Sequence, residues 1–279
     1  MSFFISSENI NIPNMIYGTA WKKDKTSSLV YEALREGFKG IDTAGQPRHY
    51  NEKGVGEGID KSFKDNIIKR DELYIQTKFT PIDGQDKNNM PYLITDDLKT
   101  QIRKSFEKSK LNLKVEYIDS YILHSPIFPG KKLIEAWLTM EEFYHSKEIG
   151  QLGISNCYDL DVLKYLYNNS EVKPAIVQNR FYAQSGYDKE IRVWCKQMGI
   201  LYQSFWSLTA NPEIVNSSLI NQLSKKYNKT KEQIFYKFLN ELGIIPLNGT
   251  TSNEHMKLDL NIKDFNLEKA EIETINNML

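Results

Sequence analysis

Short runs of β-branched and aromatic residues alternate eight times with longer polar segments whose apolar residues recur every three or four positions, and few folds accept that alternation. The runs lie at 15–20, 40–43, 73–79, 117–123, 150–155, 175–181, 200–206 and 244–247, and read as strands. Between them the spacing predicts helices over 27–36, 51–63, 96–108, 133–146, 160–167, 189–198 and 231–242, with a short one over 219–227. Gly37, Gly199 and Gly243 each stand where a helix must stop before the next strand. Such alternation implies a parallel sheet with right-handed crossovers. Eight units in 279 residues match the count and length of a (β/α)8 TIM barrel, read as a single domain over 1–279. An open doubly wound sheet would need a G-x-G-x-x-G loop after the first strand. Here that strand runs into Gly18, Thr19, Ala20 and Trp21, and Gly54, Gly56 and Gly58 fall inside a predicted helix.

Charge and cysteine content narrow the class of function. Thirty-six basic and 36 acidic side chains cancel with no dense block of either sign, so neither a nucleic-acid footprint nor a polybasic membrane segment is expected. No run approaches the ~20 apolar residues of a membrane span, and the first residues have no secretory pattern. The expectation is a cytoplasmic protein, a monomer or weak homo-oligomer, with Asn168, Asn216, Asn228 and Asn248 as chance matches to Asn-x-Ser/Thr. Cys157 and Cys195 lack C-x-x-C spacing and are expected to be reduced thiols. The four histidines, His49, His124, His145 and His255, show no H-x-H or H-E-x-x-H spacing, so no metal site and no metal-dependent barrel hydrolase is expected.

In a barrel the loops after the strands carry the site. Asp42 follows the second run, Lys78 ends the third, His124 follows the fourth, and Ser155 and Asn156 follow the fifth. After Asp42 a polar turn delivers His49 and Tyr50, so a carboxylate and a phenol are presented at one strand end, groups suited to proton transfer.

The segment 37–59, GFKGIDTAGQPRHYNEKGVGEGI, resembles the aldo-keto reductase signature G-x-R-H-I-D-T-A-x-x-Y-x-N-E-x-x-V-G. Further along, YIQTKF resembles the lysine strand of that superfamily, DSYILHSP its D-L-Y-L-I-H-x-P, GISN its G-V-S-N, and KPAIVQN its K-P-A-x-N-Q. The resemblance implies a barrel preceded by a short N-terminal β-hairpin, over 3–13, that caps the end opposite the site. It implies reduction of a small aldehyde or ketone by hydride from NADPH, with NADH as the other coenzyme. Asp42, Lys78, His124 and a tyrosine would form the catalytic set: Lys78, held by Asp42, would lower the phenol's pKa, and His124 would orient the carbonyl and steady its developing charge. Gly18, Thr19, Ser155, Asn156, Gln178 and Phe205 would hold the nicotinamide end of the cofactor. Trp21, His49 and His124 would face the substrate, with Phe79, Tyr92 and Phe128 as further aromatic candidates. A non-catalytic relative that binds NADP(H) and regulates a protein partner is the alternative.

Two departures mark the chain. In the signature the tyrosine follows the aspartate by five residues, whereas position 47 is Pro47; alignment on Asn51, Glu52 and Val55 puts His49 in that column, with Tyr50 one residue later. Tyr50 is the favoured proton donor, because a Lys/Asp pair suits a phenol and would only make an imidazolium less stable; His49 is the alternative. After the eighth run the pattern I-P-K-S, followed by an arginine for the 2′-phosphate, is replaced by IPLNGTTSNEHMK. Thr250, Thr251 and Ser252, opening a predicted helix, are the candidates for holding phosphate there, with His255 or Lys257 adding charge.

Overall fold

The computed structural model describes residues 3–279. Strands β1 (Phe3–Ile5) and β2 (Asn11–Pro13) pair antiparallel. Eight parallel strands then close into a barrel in chain order: β3 (Ile16–Gly18), β4 (Gly40–Asp42), β5 (Tyr74–Phe79), β6 (Ser120–Leu123), β7 (Leu152–Ser155), β8 (Ile176–Arg180), β9 (Leu201–Phe205) and β10 (Ile244–Asn248), the last pairing back onto β3. Around them lie α1 (Thr26–Glu36), α2 (Glu52–Lys64), α3 (Leu98–Leu113), α4 (Gly130–His145), α5 (Leu160–Asn169), α6 (Lys189–Met198), α7 (Pro212–Val215), α8 (Ser218–Tyr227), α9 (Lys231–Glu241), α10 (Asn253–Leu260) and α11 (Lys269–Asn276). All eight predicted strands are present. Gly37, Gly199 and Gly243 end α1, α6 and α9 with φ of 112°, 71° and 79°, a backbone region that disfavours other residues.

Strand alternation sorts the side chains into two cores. Outward-facing residues such as Ile75, Tyr121 and Ile154 join the helices in one continuous shell, in which Trp137 is fully buried and donates its indole N–H to the Val172 carbonyl at 2.8 Å. Inside the barrel, Ile16, Ile122, Ile176 and Ile245 cluster with Ile12 of the hairpin. Each such side chain contributes about 1.5–3 kcal/mol by leaving water. A Cβ added at Gly40, where β4 begins, would meet Pro13 at 3.2 Å, so β2 closes the floor at the N-terminal end of the strands. The hairpin therefore caps the end opposite the strand C-termini, as expected.

Helix α2 is packed unusually tightly. A Cβ on Gly56 would come within 2.0 Å of the Asn112 carbonyl on α3, and one on Gly58 within 2.6 Å of the Ser27 carbonyl on α1. The glycines at these positions serve close helix approach inside an α-helix and bind no dinucleotide loop. Asn51 caps α2 by accepting from the Gly54 N–H at 2.9 Å, and buried Glu52 accepts from Thr77 at 2.6 Å and Ser109 at 3.1 Å. Those anchors fix the backbone directly after Tyr50. Among the described residues no helix is long and apolar enough to cross a membrane.

Candidate active site

Asp42 ends β4, and Lys78 stands in β5 with its side chain fully buried. The Lys78 Nζ lies 2.6 Å from each Asp42 carboxylate oxygen and 2.8 Å from the Thr43 carbonyl. Three acceptors around one nitrogen require an ammonium. Burial still pulls the Lys78 pKa below its ordinary value, against the upward pull of Asp42. The Tyr50 ring centroid is 5.4 Å from that nitrogen and 6.0 Å from the His124 ring, edge to face. His124 follows β6, its Nδ1 sits 2.6 Å from the Thr80 hydroxyl, and burial together with Lys78 holds it well below the usual imidazole range, hence neutral.

The longer turn decides what stands where. Backbone bonds from the His49 and Tyr50 N–H groups to the Gln46 carbonyl, both 3.0 Å, curl residues 46–50 into a compact turn. Gln46 donates its amide to the Gly84 carbonyl at 2.5 Å, so its own oxygen accepts from His49 Nδ1 at 2.9 Å. His49 stacks on Trp21 with centroids 4.0 Å apart, out at the mouth, while Tyr50 points in toward Lys78 and His124. The phenol's acidity differs from the expectation. Burial first, and Asp42 second, push Tyr50 well above its ordinary value, and the three hydrogen bonds from Lys78 go to Asp42 and Thr43 and not to the phenol.

Trp21, Asp42, His49, Tyr50 and His124 line one cavity of about 1000 Å³, which also includes Gly18, Asn156, Gln178, Phe205 and Thr250, whereas Lys78 is fully buried and reaches that wall only through Asp42. Several residues expected to face a ligand are placed otherwise. Thr19 is buried behind the wall, its hydroxyl donating to the Asp42 carbonyl at 2.9 Å. Ser155 is fully buried and donates to the Gln178 carbonyl at 2.7 Å. Ser252 is the N-cap of α10, accepting from the His255 N–H at 3.3 Å; the Thr250 hydroxyl accepts from the Ser252 N–H at 3.2 Å; Thr251 faces solvent. Of the three hydroxyl residues only Thr250 reaches the cavity wall. Phe79 and Tyr92 pack in the core, with the Tyr92 hydroxyl on the Thr80 carbonyl at 2.7 Å, and Phe128 is exposed.

Three groups escaped the sequence reading. Gln76 and Gln203 join Gln178 in a buried amide cluster above the apolar floor: Gln76 Nε2 donates to Asp42 Oδ1 at 2.6 Å and to Gln203 Oε1 at 2.8 Å, and Gln178 Nε2 donates to the same two oxygens at 3.0 and 2.9 Å. Gln76 stands two residues before Lys78, and Gln203 two before Phe205, so the period of a strand was the available signal. Arg180, at the end of β8, is the third. The backbone itself is distinctive here, since Trp21, Asn156 and Trp206, each just past a barrel strand, have φ of 64°, 52° and 57°. Bulky residues held in that region store strain, which collects at functional sites.

A barrel that brings a phenol, a neutral imidazole and a carboxylate held by a buried ammonium to one cavity is a framework for proton-coupled chemistry on a small molecule. Residues 14–212 match the model of the Aldo/keto reductase family, and the chain belongs to that family. It is 27% identical over 254 residues to a glyoxal reductase of Bacillus subtilis (strain 168), covering 91% of this chain and 83% of that protein. With an NAD(P)H-dependent D-xylose reductase of Pachysolen tannophilus it shares 25% identity, covering 99% and 92%. Among solved structures, an aldo/keto reductase from Brucella melitensis superposes with a TM-score of 0.83 at 24% identity, covering 100% of this chain and 99% of that one. A Bombyx mori aldo-keto reductase in complex with NADP superposes at 0.82 with 23% identity, covering 99% and 92%. These structures share the fold.

Proposed function

We propose that the protein is an NAD(P)H-dependent reductase that converts an aldehyde or ketone to an alcohol. The observation that carries this reading is Tyr50 facing both His124 and the Asp42-bound Lys78 on the wall of one large cavity. The same wall suits a nicotinamide: the Asn156 and Gln178 amides match a carboxamide, and the Phe205 ring offers a flat apolar face. When bound, a reduced nicotinamide supplies hydride to the carbonyl carbon.

Tyr50 gives its phenolic proton to the carbonyl oxygen, so one hydride and one proton turn C=O into CH–OH. Burial keeps the phenol fully protonated until charge develops on that oxygen, and the Lys78 ammonium then steadies the phenolate left behind. His124 accepts the Thr80 hydroxyl proton's hydrogen bond at Nδ1 and presents Nε2–H to the carbonyl oxygen. Trp21 and His49 form the substrate's entry.

Toward the Thr250 loop the cavity is lined by Leu247, Glu232, Glu254, His255 and Asp259, together with Lys22, whose Nζ donates to the Gly249 carbonyl. Among the described residues Lys22 is the one lysine on that wall for a 2′-phosphate, set against the acidic side chains, and NADH is as suitable as NADPH. Oxidation of either coenzyme against a panel of small aldehydes and ketones tests the reading. Firm coenzyme binding with no turnover over the whole panel overturns it and leaves a cofactor-binding regulatory role.

A further inference from the structure

Arg180 is the one arginine on the cavity wall among the described residues, and it has no carboxylate within salt-bridge distance. Its guanidinium carbon lies 4.2 Å from the Trp206 ring centroid and 5.3 Å from that of Tyr182. Two aromatic faces thus hold a planar cation while leaving its hydrogen-bonding edge free. The Nε is buried and has no hydrogen-bond partner. A buried donor without an acceptor is costly to a fold and calls for an explanation.

The neighbours of Arg180 tie it to the reacting end of the cavity. Its backbone N–H donates to the Tyr158 hydroxyl at 3.0 Å, which donates to Asn156 Oδ1 at 3.2 Å, and Asn156 Nδ2 donates to the His124 carbonyl at 2.9 Å. On its other side Trp206, held at φ of 57°, leads into Ser207, Leu208 and Thr209, which line the same wall. The acids on that wall are Asp42, paired with Lys78, and Glu232, Glu254 and Asp259, none of which contacts Arg180.

We propose that Arg180, clamped by Trp206 and Tyr182, is an oxyanion-binding site of this cavity that takes a phosphate or carboxylate of the bound small molecule through its free fork. A guanidinium matches such groups bidentately, and the aromatic clamp fixes its orientation before the ligand arrives. The inference rests on the reductase reading. Two sources supply an oxyanion of this kind: the diphosphate of the dinucleotide, or an acidic substituent on the carbonyl substrate.

The test compares wild type with Arg180→Met and Arg180→Lys. Binding of NADH and of NADPH is followed by quenching of tryptophan fluorescence, without turnover. KM is then measured for succinate semialdehyde and for butanal, which differ by a carboxylate. If the diphosphate is the ligand, Arg180→Met raises Kd for both coenzymes by the same factor, about tenfold or more, and Arg180→Lys recovers part of the loss. If the substrate is the source, both Kd values hold and KM rises about tenfold for the semialdehyde alone. Wild-type coenzyme binding with all four constants unmoved in Arg180→Met overturns the Arg180 site and leaves the reductase reading standing. Absence of coenzyme binding by wild type overturns both. Should Arg180→Met fail to fold, Arg180→Gln, which keeps a polar end and most of the stem, is read against the same outcomes.

Discussion

The imidazole of His49 lies against the indole of Trp21, with ring centroids 4.0 Å apart, and Gln46 holds it there through Nδ1. This contact sends two adjacent side chains to different places, because the neighbouring Tyr50 is the one that turns inward to Lys78 and His124. Tyr50→Phe keeps the ring and removes the proton, and is expected to lower kcat for carbonyl reduction by at least ~100-fold with coenzyme binding intact. His49→Ala is expected to change KM for the carbonyl compound and leave kcat within a few fold. Steady-state kinetics of the two variants decide the matter; a His49→Ala enzyme as inactive as Tyr50→Phe would move proton donation to the imidazole.

Removing one amide from the cluster under Asp42 should be felt in both stability and turnover. Gln76→Leu withdraws a donor from Asp42 Oδ1 and breaks both bonds to Gln203, whose amide nitrogen is left short of a partner, while the Tyr74 hydroxyl keeps Ser120. At about 1–3 kcal/mol for a buried group left unsatisfied, a loss of roughly 2–3 kcal/mol in urea unfolding is expected. The Asp42–Lys78 pair then sits less firmly, so kcat falls while the Kd for coenzyme stays. Unchanged unfolding would show that the amides are not coupled to the ion pair.

The pH dependence of stability carries a contribution from Asp259, a carboxyl on α10 whose Oδ2 accepts from the Asn248 amide at 2.6 Å. Burial raises its pKa from 3.8 to about 6. The folded protein therefore holds this proton more tightly than the unfolded chain does. Its stabilising contribution is fully present below pH 3.8 and is lost as pH rises through about 6. Asp259→Asn keeps an oxygen for Asn248 and removes the charge. Its Tm is expected to exceed that of wild type at pH 7.5, by on the order of 1–2 kcal/mol of stability, and to match it near pH 4. A lower Tm at pH 7.5 would mean that the ionised carboxylate's bond to Asn248 outweighs its burial.

Coenzyme preference follows from the lining at the far end. With Leu247 and three acidic side chains on this wall and the Lys22 ammonium drawn onto the Gly249 carbonyl, NADH is expected to support kcat/KM at least equal to that of NADPH. The comparison is made at low and moderate ionic strength. A preference for NADPH of tenfold or more would require a phosphate partner in Lys22, on the Thr250 loop or at the α10 N-terminus.

Much of this architecture was legible from residue order alone. Period and glycine stops located the strands, and Asp42, Lys78 and His124 could be collected because barrel chemistry gathers at strand ends. What escaped depends on which way a side chain turns. Thr19 and Ser155 offered hydroxyls at strand ends, yet each bonds to a carbonyl of the neighbouring strand. Gln76 and Gln203 looked like ordinary polar residues until register placed them beside Asp42. The raised phenol pKa was likewise hidden, since it comes first from burial and then from Asp42, and the depth at which the turn sets the ring is not written in residue order.

Gly56 and Gly58 bring α2 into backbone contact with the helices on either side. A helix seated by its own main chain gives Tyr50, directly before it, a fixed datum. A side chain larger than hydrogen at either glycine would push α2 off α1 or α3, and the first thing to move would be the turn that carries Tyr50 and His49.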